Sequence, residues 1–347
     1  MKGPEELAVR NFASTRRRGL STRYIDTMNL PPDLASAIAS ATEGIPTSAL
    51  THAATELSDA SRARRPIGQT YMTSDAHRLA YAATRLPATY AAVHASLGYT
   101  AEILSDYPIE SCLDLGAGPG TAAWAATQIW PSIGQITLIE QDADLITLGK
   151  QFAQDGPSSL QSADWQRGDL TSLAPLPEHD LVICSYAVGE LRPEAVTKLI
   201  NTAWSITRGI LVIIEPGTVP GFAHIRAIRD QLIALDAHVV APCPHQDACP
   251  MSETDWCHFA QRLDRSSLHR QLKSGDLGHE DEKFSYISVS KNPINRPDAR
   301  VLRHPQRRSG HAHIQICTGD GIRDQTLTRS QKADWKRIRR LDWGDVW

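Results

Sequence analysis

The segment Asp114-Leu115-Gly116-Ala117-Gly118-Pro119-Gly120 constrains the fold of this chain more than any other stretch. A short apolar run, SCLDL over 111 to 115, leads into it, and residues of helical texture follow. Glycines between a strand and a helix let the backbone turn sharply and approach a ligand closely, while the helix start offers N–H groups with no partner inside the helix. The spacing is G-x-G-x-G. A dinucleotide fingerprint, G-x-G-x-x-G, would need its third glycine where this chain has Thr121.

The surroundings agree with a strand-to-helix turn. After Pro108, apolar runs alternate with helical stretches: SCLDL (111 to 115), QITLIE (135 to 140), DLVICSY (180 to 186), GILVIIE (209 to 215), HVVAP (238 to 242) and FSYISVS (284 to 290). This alternation predicts βαβ units and a mainly parallel sheet covered on both faces, an α/β fold. Before it, apolar residues from Leu34 to about Leu104 recur at helical spacing, with Pro46 and Pro66 in the turns. Near the end, HAHIQICT (311 to 318), a Gly319-Asp320-Gly321 turn and RDQTLT (323 to 328) predict a hairpin, and SQKADWKRIRRLDW a short basic helix. The expected organisation is a helical N-terminal region over 1–107, a Rossmann-like domain over 108–292 with a cysteine-rich insertion at 241–280, and a small β-rich basic extension over 293–347.

Acidic residues qualify the glycine loop. Asp114 precedes it, and a carboxylate there is the natural partner of the ammonium group of S-adenosylmethionine. Glu140 ends the second run about 20 residues on, where an acid can hold both ribose hydroxyls. Asp169 follows a weak third strand and can accept a hydrogen bond from the adenine amino group. Together these residues resemble a class I S-adenosylmethionine-dependent methyltransferase over about residues 108 to 292, with Asp114, Gly116, Ala117, Gly118, Gly120, Glu140, Asp169 and Tyr186 as the expected cofactor-binding set. The chemistry is less legible. Amino-methylating enzymes of this class often follow the fourth strand with Asn or Asp, two prolines and an aromatic residue. Here it reads Cys184-Ser185-Tyr186-Ala187-Val188-Gly189-Glu190-Leu191, so catalytic residues stay unassigned. Cys184 lies in an apolar strand and reads as a buried structural thiol; Glu190 either faces substrate or caps the next helix.

Cys112 and Cys184 fall in presumed core strands, whereas Cys243, Cys249, Cys257 and Cys317 lie outside them in a C-x5-C-x7-C pattern with a distant fourth. Such clustering favours metal over disulfide in a reducing compartment. Neither interval matches a zinc knuckle. Looser thiolate loops suit an iron-sulfur cluster, with zinc the alternative, and His245 or His258 could each replace a thiolate.

The sequence around these cysteines also carries a resemblance. Pro242-Cys243-Pro244-His245-Gln246-Asp247-Ala248-Cys249-Pro250, Trp256-Cys257-His258-Phe259, Glu282-Lys283-Phe284-Ser285-Tyr286, the stretch from Gly310-His311 to Cys317, Trp343-Gly344-Asp345, and Ala80-Tyr81-Ala82 with Arg85-Leu86-Pro87-Ala88-Thr89-Tyr90 resemble the methyltransferase-like family associated with the small ribosomal subunit of bacteria and mitochondria. That resemblance covers nearly the whole chain from about Leu30. It implies a methyltransferase fold, a [4Fe-4S] cluster on Cys243, Cys249, Cys257 and Cys317, and a role in small-subunit assembly or translation. Some members act as assembly factors with degenerate cofactor loops. The loop here is intact, which implies retained cofactor binding.

Charge adds a possible partner. The net charge of -3 resolves into +2 over residues 1 to 65, -11 over 66 to 291 and +6 over 292 to 347. Lys and Arg of the tail, notably Arg307, Arg308, Lys336, Arg337, Arg339 and Arg340, are candidate contacts for small-subunit ribosomal RNA. No run approaches the roughly 18 apolar residues of a membrane helix, and no membrane association is expected. MKGPEELAVRNF lacks the apolar core of a signal peptide; Arg16-Arg17-Arg18 would fit a transit peptide, but Glu5 and Glu6 argue against one, so a cytoplasmic location is expected.

Overall fold

The structure, a computed structural model, describes residues 27–62, 72–104, 107–273, 275 and 277–347. The Arg16-Arg17-Arg18 cluster and Pro66 lie outside them. Four helices come first: α1 (Pro32–Thr42), α2 (Thr47–Arg62), α3 (Asp75–Thr84) and α4 (Leu86–Ile103). Pro32 opens α1, where its missing N–H costs nothing, and Ser74 caps α3 by accepting from the His77 N–H at 3.3 Å. Helix α4 is apolar on nearly every face because it is buried between the sheet and the outer helices: Leu86, Ala91, Val93 and Leu97 have no exposed surface.

The α/β region runs β1 (Ser111–Leu115), α5 (Thr121–Ile129), β2 (Gln135–Glu140), α6 (Ala143–Ala153), α7 (Ser158–Gln161), β3 (Asp164–Arg167), β4 (His179–Ser185), α8 (Pro193–Ser205), β5 (Thr207–Pro216), α9 (Val219–Ala234), β6 (His238–Ala241), β7 (Phe259–Asp264), α10 (Ser267–Leu272) and β8 (His279–Ser290). The strand order is β3-β2-β1-β4-β5-β8-β6, with β1 to β5 parallel and β8 antiparallel between β5 and β6. Alternation explains the two covered faces. On β5, Ile210, Val212 and Ile214 point into the core shared with α4 and α5, while Leu211 and Ile213 join Leu199, Ile228 and Leu232 of α8 and α9 on the other side.

All six expected apolar runs are strands. Strand β7 was not foreseen from the sequence, and β8 begins at His279, five residues before the apolar run at 284. Its first half, HEDEK, carries no apolar signal and is extended because β7 pairs with it, Phe259 opposite Phe284 and Asp264 opposite His279. Strand β6 pairs with the other half of the same edge, so residues 242 to 258 form an excursion between the two strands.

The tail forms a second, four-stranded sheet from β9 (Ala299–Val301), β10 (Gln306–Arg307), β11 (His311–Thr318) and β12 (Gly321–Thr328), followed by α11 (Lys332–Ile338). The hairpin closes with Thr318 opposite Gly321. Helix α11 is shorter than the basic stretch suggests, because the chain then returns to pair Val346 with Arg300 of β9. Val301, Ile314, Ile316 and Ile338 give this sheet its own small core. Among the described residues, no helix is long and apolar enough to cross a membrane.

Candidate functional site

Two sites emerge. The first is a cleft at the C-terminal ends of β1, β2 and β4. Gly116, Gly118 and Gly120 all take positive φ (+76°, +54° and +83°), a turn that residues with a Cβ resist. The Gly116 and Ala117 N–H groups donate to Ile139 O at 2.9 and 3.0 Å, pinning the loop to the end of β2. A Cβ on Gly118 would meet no atom within 4 Å: the loop faces open space there. Glu140 accepts from the Gly118 N–H at 2.8 Å and the Asp142 N–H at 2.9 Å, so it shapes the loop, and its remaining lone pairs can still receive ribose hydroxyls.

Asp114 is wholly buried at the foot of the loop, with neither carboxylate oxygen in a hydrogen bond. Burial pushes it up to about 7, opposed by the Ala123 N–H at the start of α5, whose approach falls short of a full hydrogen bond, and reinforced by Glu140. Glu190, after β4, is likewise raised to about 7 by desolvation and then by Glu140 and Glu215. Glu215, 2% exposed at the end of β5, stands 3.7 Å from His224 Nδ1. The cleft is thus rich in carboxylates that resist ionisation until a cation arrives, which is the chemistry of a ligand carrying ammonium and sulfonium groups. A buried carboxylate without a full hydrogen bond beside a glycine cradle fits S-adenosylmethionine. Asp169 is exposed at the end of β3 and accepts from the Thr171 N–H at 2.8 Å.

Tyr186 ends β4 in the left-handed region, φ 57°, a conformation costing of order 1–3 kcal/mol for a bulky residue. Its backbone N–H reaches Ile214 O at 2.8 Å and its hydroxyl donates to Glu282 at 3.0 Å; Arg85 lies 3.6 Å from the same carboxylate oxygen. The sequence reading missed Glu282 and Arg85 as partners of Tyr186, because they come from β8 and the start of α4 and share no spacing with it. Cys184 is buried and its thiol is held well above its usual range by burial, then by Glu215 and Asp114, so it is inert.

The second site is a cavity between the excursion 242–258, helix α9 and the tail sheet, and Cys243, Cys249, Cys257 and Cys317 all line it. Three loop positions and one position on β11, 74 residues apart at the extremes (243 to 317), meet there. Phe222, Met251 and Leu302 pack around them, leaving a dry wall. Burial pushes the Cys257 and Cys317 thiols up, Cys317 to about 12, and neighbouring cysteines push them further. Thiolates gathered on one buried wall need a cationic centre among them, and the four-cysteine donor set fits an iron-sulfur or zinc site. As the side chains stand, no group of three His, Cys, Asp or Glu among the described residues is arranged to hold a single ion.

Of the two candidate histidines, His245 Nε2 lies 3.5 Å from Cys317 Sγ, whereas His258 is held between Trp256 and Trp343 at 4.9 Å from each ring. Arg229 and Arg300 also line the cavity and were not singled out from the sequence. For Arg229 a signal existed: Ile225, Ile228, Arg229 and Leu232 form the buried stripe of α9, and an arginine on an apolar stripe is an anomaly. The tail is fastened through this region, with Arg300 donating to Pro242 O at 3.0 Å and Gly344 O at 2.7 Å, and Arg303 to Asp255 at 2.6 Å.

The strand order, the single antiparallel strand before the last and the glycine loop define a class I methyltransferase fold. Residues 75–347 match the family described as mitochondrial small ribosomal subunit Rsm22, and the chain belongs to that family. It is 26% identical over 288 residues to the human ribosome assembly protein METTL17, mitochondrial, covering 77% of this chain and 62% of that protein. It is also 26% identical over 330 residues to the Rsm22-cox11 tandem protein 2, mitochondrial, of Schizosaccharomyces pombe, covering 79% of this chain and 43% of that protein. The chain therefore spans less than two thirds of the length of either relative. Among solved structures, magnesium protoporphyrin IX methyltransferase from Synechocystis PCC 6803 aligns with a TM-score of 0.40 and 12% identity over 67% of this chain and 93% of that one.

These comparisons correct one expectation. The family and both relatives are named mitochondrial, pointing to the mitochondrion and not the cytoplasm. The reading of a cytoplasmic protein rested on a missing signal-peptide core, which bears on secretion only, and on Glu5 and Glu6, two acids that did not outweigh Arg16-Arg17-Arg18.

Proposed function

We propose that this protein binds S-adenosylmethionine in the acidic cleft, holds a [4Fe-4S] cluster on Cys243, Cys249, Cys257 and Cys317, and methylates RNA of the small ribosomal subunit during its assembly. The observation that carries the reading is the convergence, within one member of a small-subunit family, of an intact glycine cradle above an unpartnered Asp114 and four cysteines on one cavity. The bound cofactor would supply an electrophilic methyl on a sulfonium, a chemistry that asks the protein mainly for alignment. Asp114 would neutralise the ammonium, Glu140, which already shapes the loop backbone, would hold the ribose, Asp169 would receive the adenine edge, and Tyr186, its hydroxyl tied to Glu282, would line the site. The cluster residues join the tail to the methyltransferase domain, which presents the basic residues of the tail beside the cleft domain.

The segment after β4 favours a second reading, a non-catalytic assembly factor that uses the same surfaces to bind ribosomal RNA. Ser185-Tyr186-Ala187-Val188 offers no amine-activating Asn or Asp. Mass mapping of small-subunit RNA from cells with and without the protein separates the two: loss of one or more methyl marks, restored by wild type but not by a Gly118→Val chain, is expected for the enzyme. Unchanged marks with impaired subunit assembly would leave the assembly role alone.

A further inference from the structure

The cavity of the four cysteines has a charge arrangement that the cysteines do not explain. Arg229 is 3% exposed and Arg300 1% exposed, and no carboxylate lines the cavity with them. Arg226, the third cation on the wall, is half-buried and reaches solvent. Arg229 spends its donors on His245 O at 3.1 Å, Asp247 O at 2.7 Å and the exposed Asp230, and its Nε has no hydrogen-bond partner. Arg300 donates only to the carbonyls of Pro242 and Gly344 and lies 5.7 Å over the Tyr99 ring, with one Nη unpartnered. Glu102 and Asp345 lie in its wider field, neither at ion-pair distance. Burying a guanidinium without full charge compensation is costly; here Arg229 has only its outward pair to the exposed Asp230, and Arg300 has no ion pair among the described residues.

The thiols supply what is missing. Four thiolates carry four negative charges; a [4Fe-4S] core in its oxidised state, or a single zinc ion, returns two positive ones, so either centre has a net charge of about -2. Two buried guanidiniums balance it.

Resting on the four-cysteine metal reading above, we propose that Arg229 and Arg300 are the built-in counter-charges of the metal–thiolate centre, Arg229 from the cleft domain and Arg300 from the tail. They are positioning residues: each also clamps a backbone segment, Arg229 the loop that follows Cys243 and Arg300 the junction of Pro242 with the end of the tail. Metal loss would leave Arg300 without a counter-charge and Arg229 with only the exposed Asp230, both on the wall between tail and domain, so the seam opens when the centre is absent.

The test compares Arg229→Gln and Arg300→Gln with Arg229→Lys and Arg300→Lys in full-length protein purified anaerobically. Iron and zinc content, chelator-driven metal loss and thermal unfolding with and without the metal are followed. The Gln variants are expected to lose metal to chelator at least tenfold faster than wild type, and the Lys variants to stay within a few-fold of wild type. Thermal unfolding should cross over: with metal the Gln variants unfold at lower temperature than wild type, and without metal at equal or higher temperature, because an uncompensated charge has gone. Equal loss in the Gln and Lys variants, or a lower unfolding temperature in both forms, would reduce the two arginines to backbone clamps and overturn the proposal. Gln variants that retain metal as wild type does would overturn it as well. Wild-type protein holding neither iron nor zinc would instead overturn the metal reading beneath it.

Discussion

The cleft and the cysteine cavity are built in opposite ways. In the cleft, five consecutive residues from Gly116 to Gly120 make the cradle, and each acid beside it sits in the last two residues of a parallel strand or within a few residues after one. In the cavity, three cysteines stand six and eight residues apart on an irregular excursion, and the fourth arrives 60 residues later on a different sheet. A site made by backbone geometry is written locally, and a site made by convergent side chains depends on every element that brings them together. The first should therefore tolerate damage elsewhere in the molecule, and the second should transmit it.

Cys317→Ser breaks that comparison most directly and has the largest expected effect. If the centre staples the tail, metal occupancy should fall to roughly a tenth or less, since structural metal binding is folding energy of many kcal/mol. Hydrogen exchange in β11, β12 and α11 should accelerate, while amides of α4 and β1 stay protected. Unaltered protection of the tail would show that Arg300, Arg303 and the apolar packing hold it unaided.

Next come two glycines whose neighbours differ. Gly118→Val puts a side chain into open space at φ +54°, so stability should fall by only about 1–2 kcal/mol while S-adenosylmethionine binding weakens at least roughly tenfold. Gly209→Ala does the reverse: its Cβ would sit 2.6 Å from the Asp180 carbonyl oxygen, at the end of the sheet opposite the loop, costing about 1–3 kcal/mol and leaving binding near wild type. Calorimetry and denaturant unfolding on both variants check this; equal effects of the two on binding would remove the distinction.

A smaller effect concerns pH. Asp114 and Glu190, each raised to about 7, are largely protonated at pH 6 and largely ionised at pH 8, and only the ionised forms attract a cationic ligand. Affinity for S-adenosylmethionine should therefore rise with pH across this window, by roughly tenfold for each carboxylate that must ionise. The demethylated product, lacking the sulfonium charge, should show a weaker dependence. For the free protein the sign is opposite: a raised Asp114 favours folding at low pH, and that contribution is lost as pH climbs from about 4 through about 7.

The smallest and most distributed effect lies in the tail. Replacing Arg308, Lys336, Arg339 and Arg340 with Gln should flatten the salt dependence of RNA binding by a few counterions without altering cofactor affinity. Arg307 and Arg337 belong in a separate set, because Arg307 binds the carbonyls of Ile338 and Leu341 and Arg337 lies 4.8 Å over the Trp347 ring. Identical salt slopes in filter binding would move the RNA contact off the tail.

Much of this was legible in the sequence. Apolar alternation located all six expected strands, because a strand buried on both faces needs a nearly continuous apolar run. The hairpin at 311 to 328 was equally plain. The pairing of HEDEK in β8 with β7 was not, because a polar stretch is extended there only through the ladder its partner supplies. The link of Arg85 and Glu282 to Tyr186 escaped notice for the same reason: it exists across three elements and in no spacing.

The sequence by itself determined the glycine loop, the acids that follow the strands and the identity of the four thiols, since each follows from residue type and position along one chain. Tertiary structure alone decided that Cys243, Cys249, Cys257 and Cys317 share a cavity, and that Arg229 and Arg300 are buried on a wall that no carboxylate lines. The reason is physical. Backbone turns and strand periodicity are set by neighbours within a few residues, whereas burial and charge compensation depend on which distant surfaces pack together, here α9, the excursion between β6 and β7, and a sheet from the end of the chain.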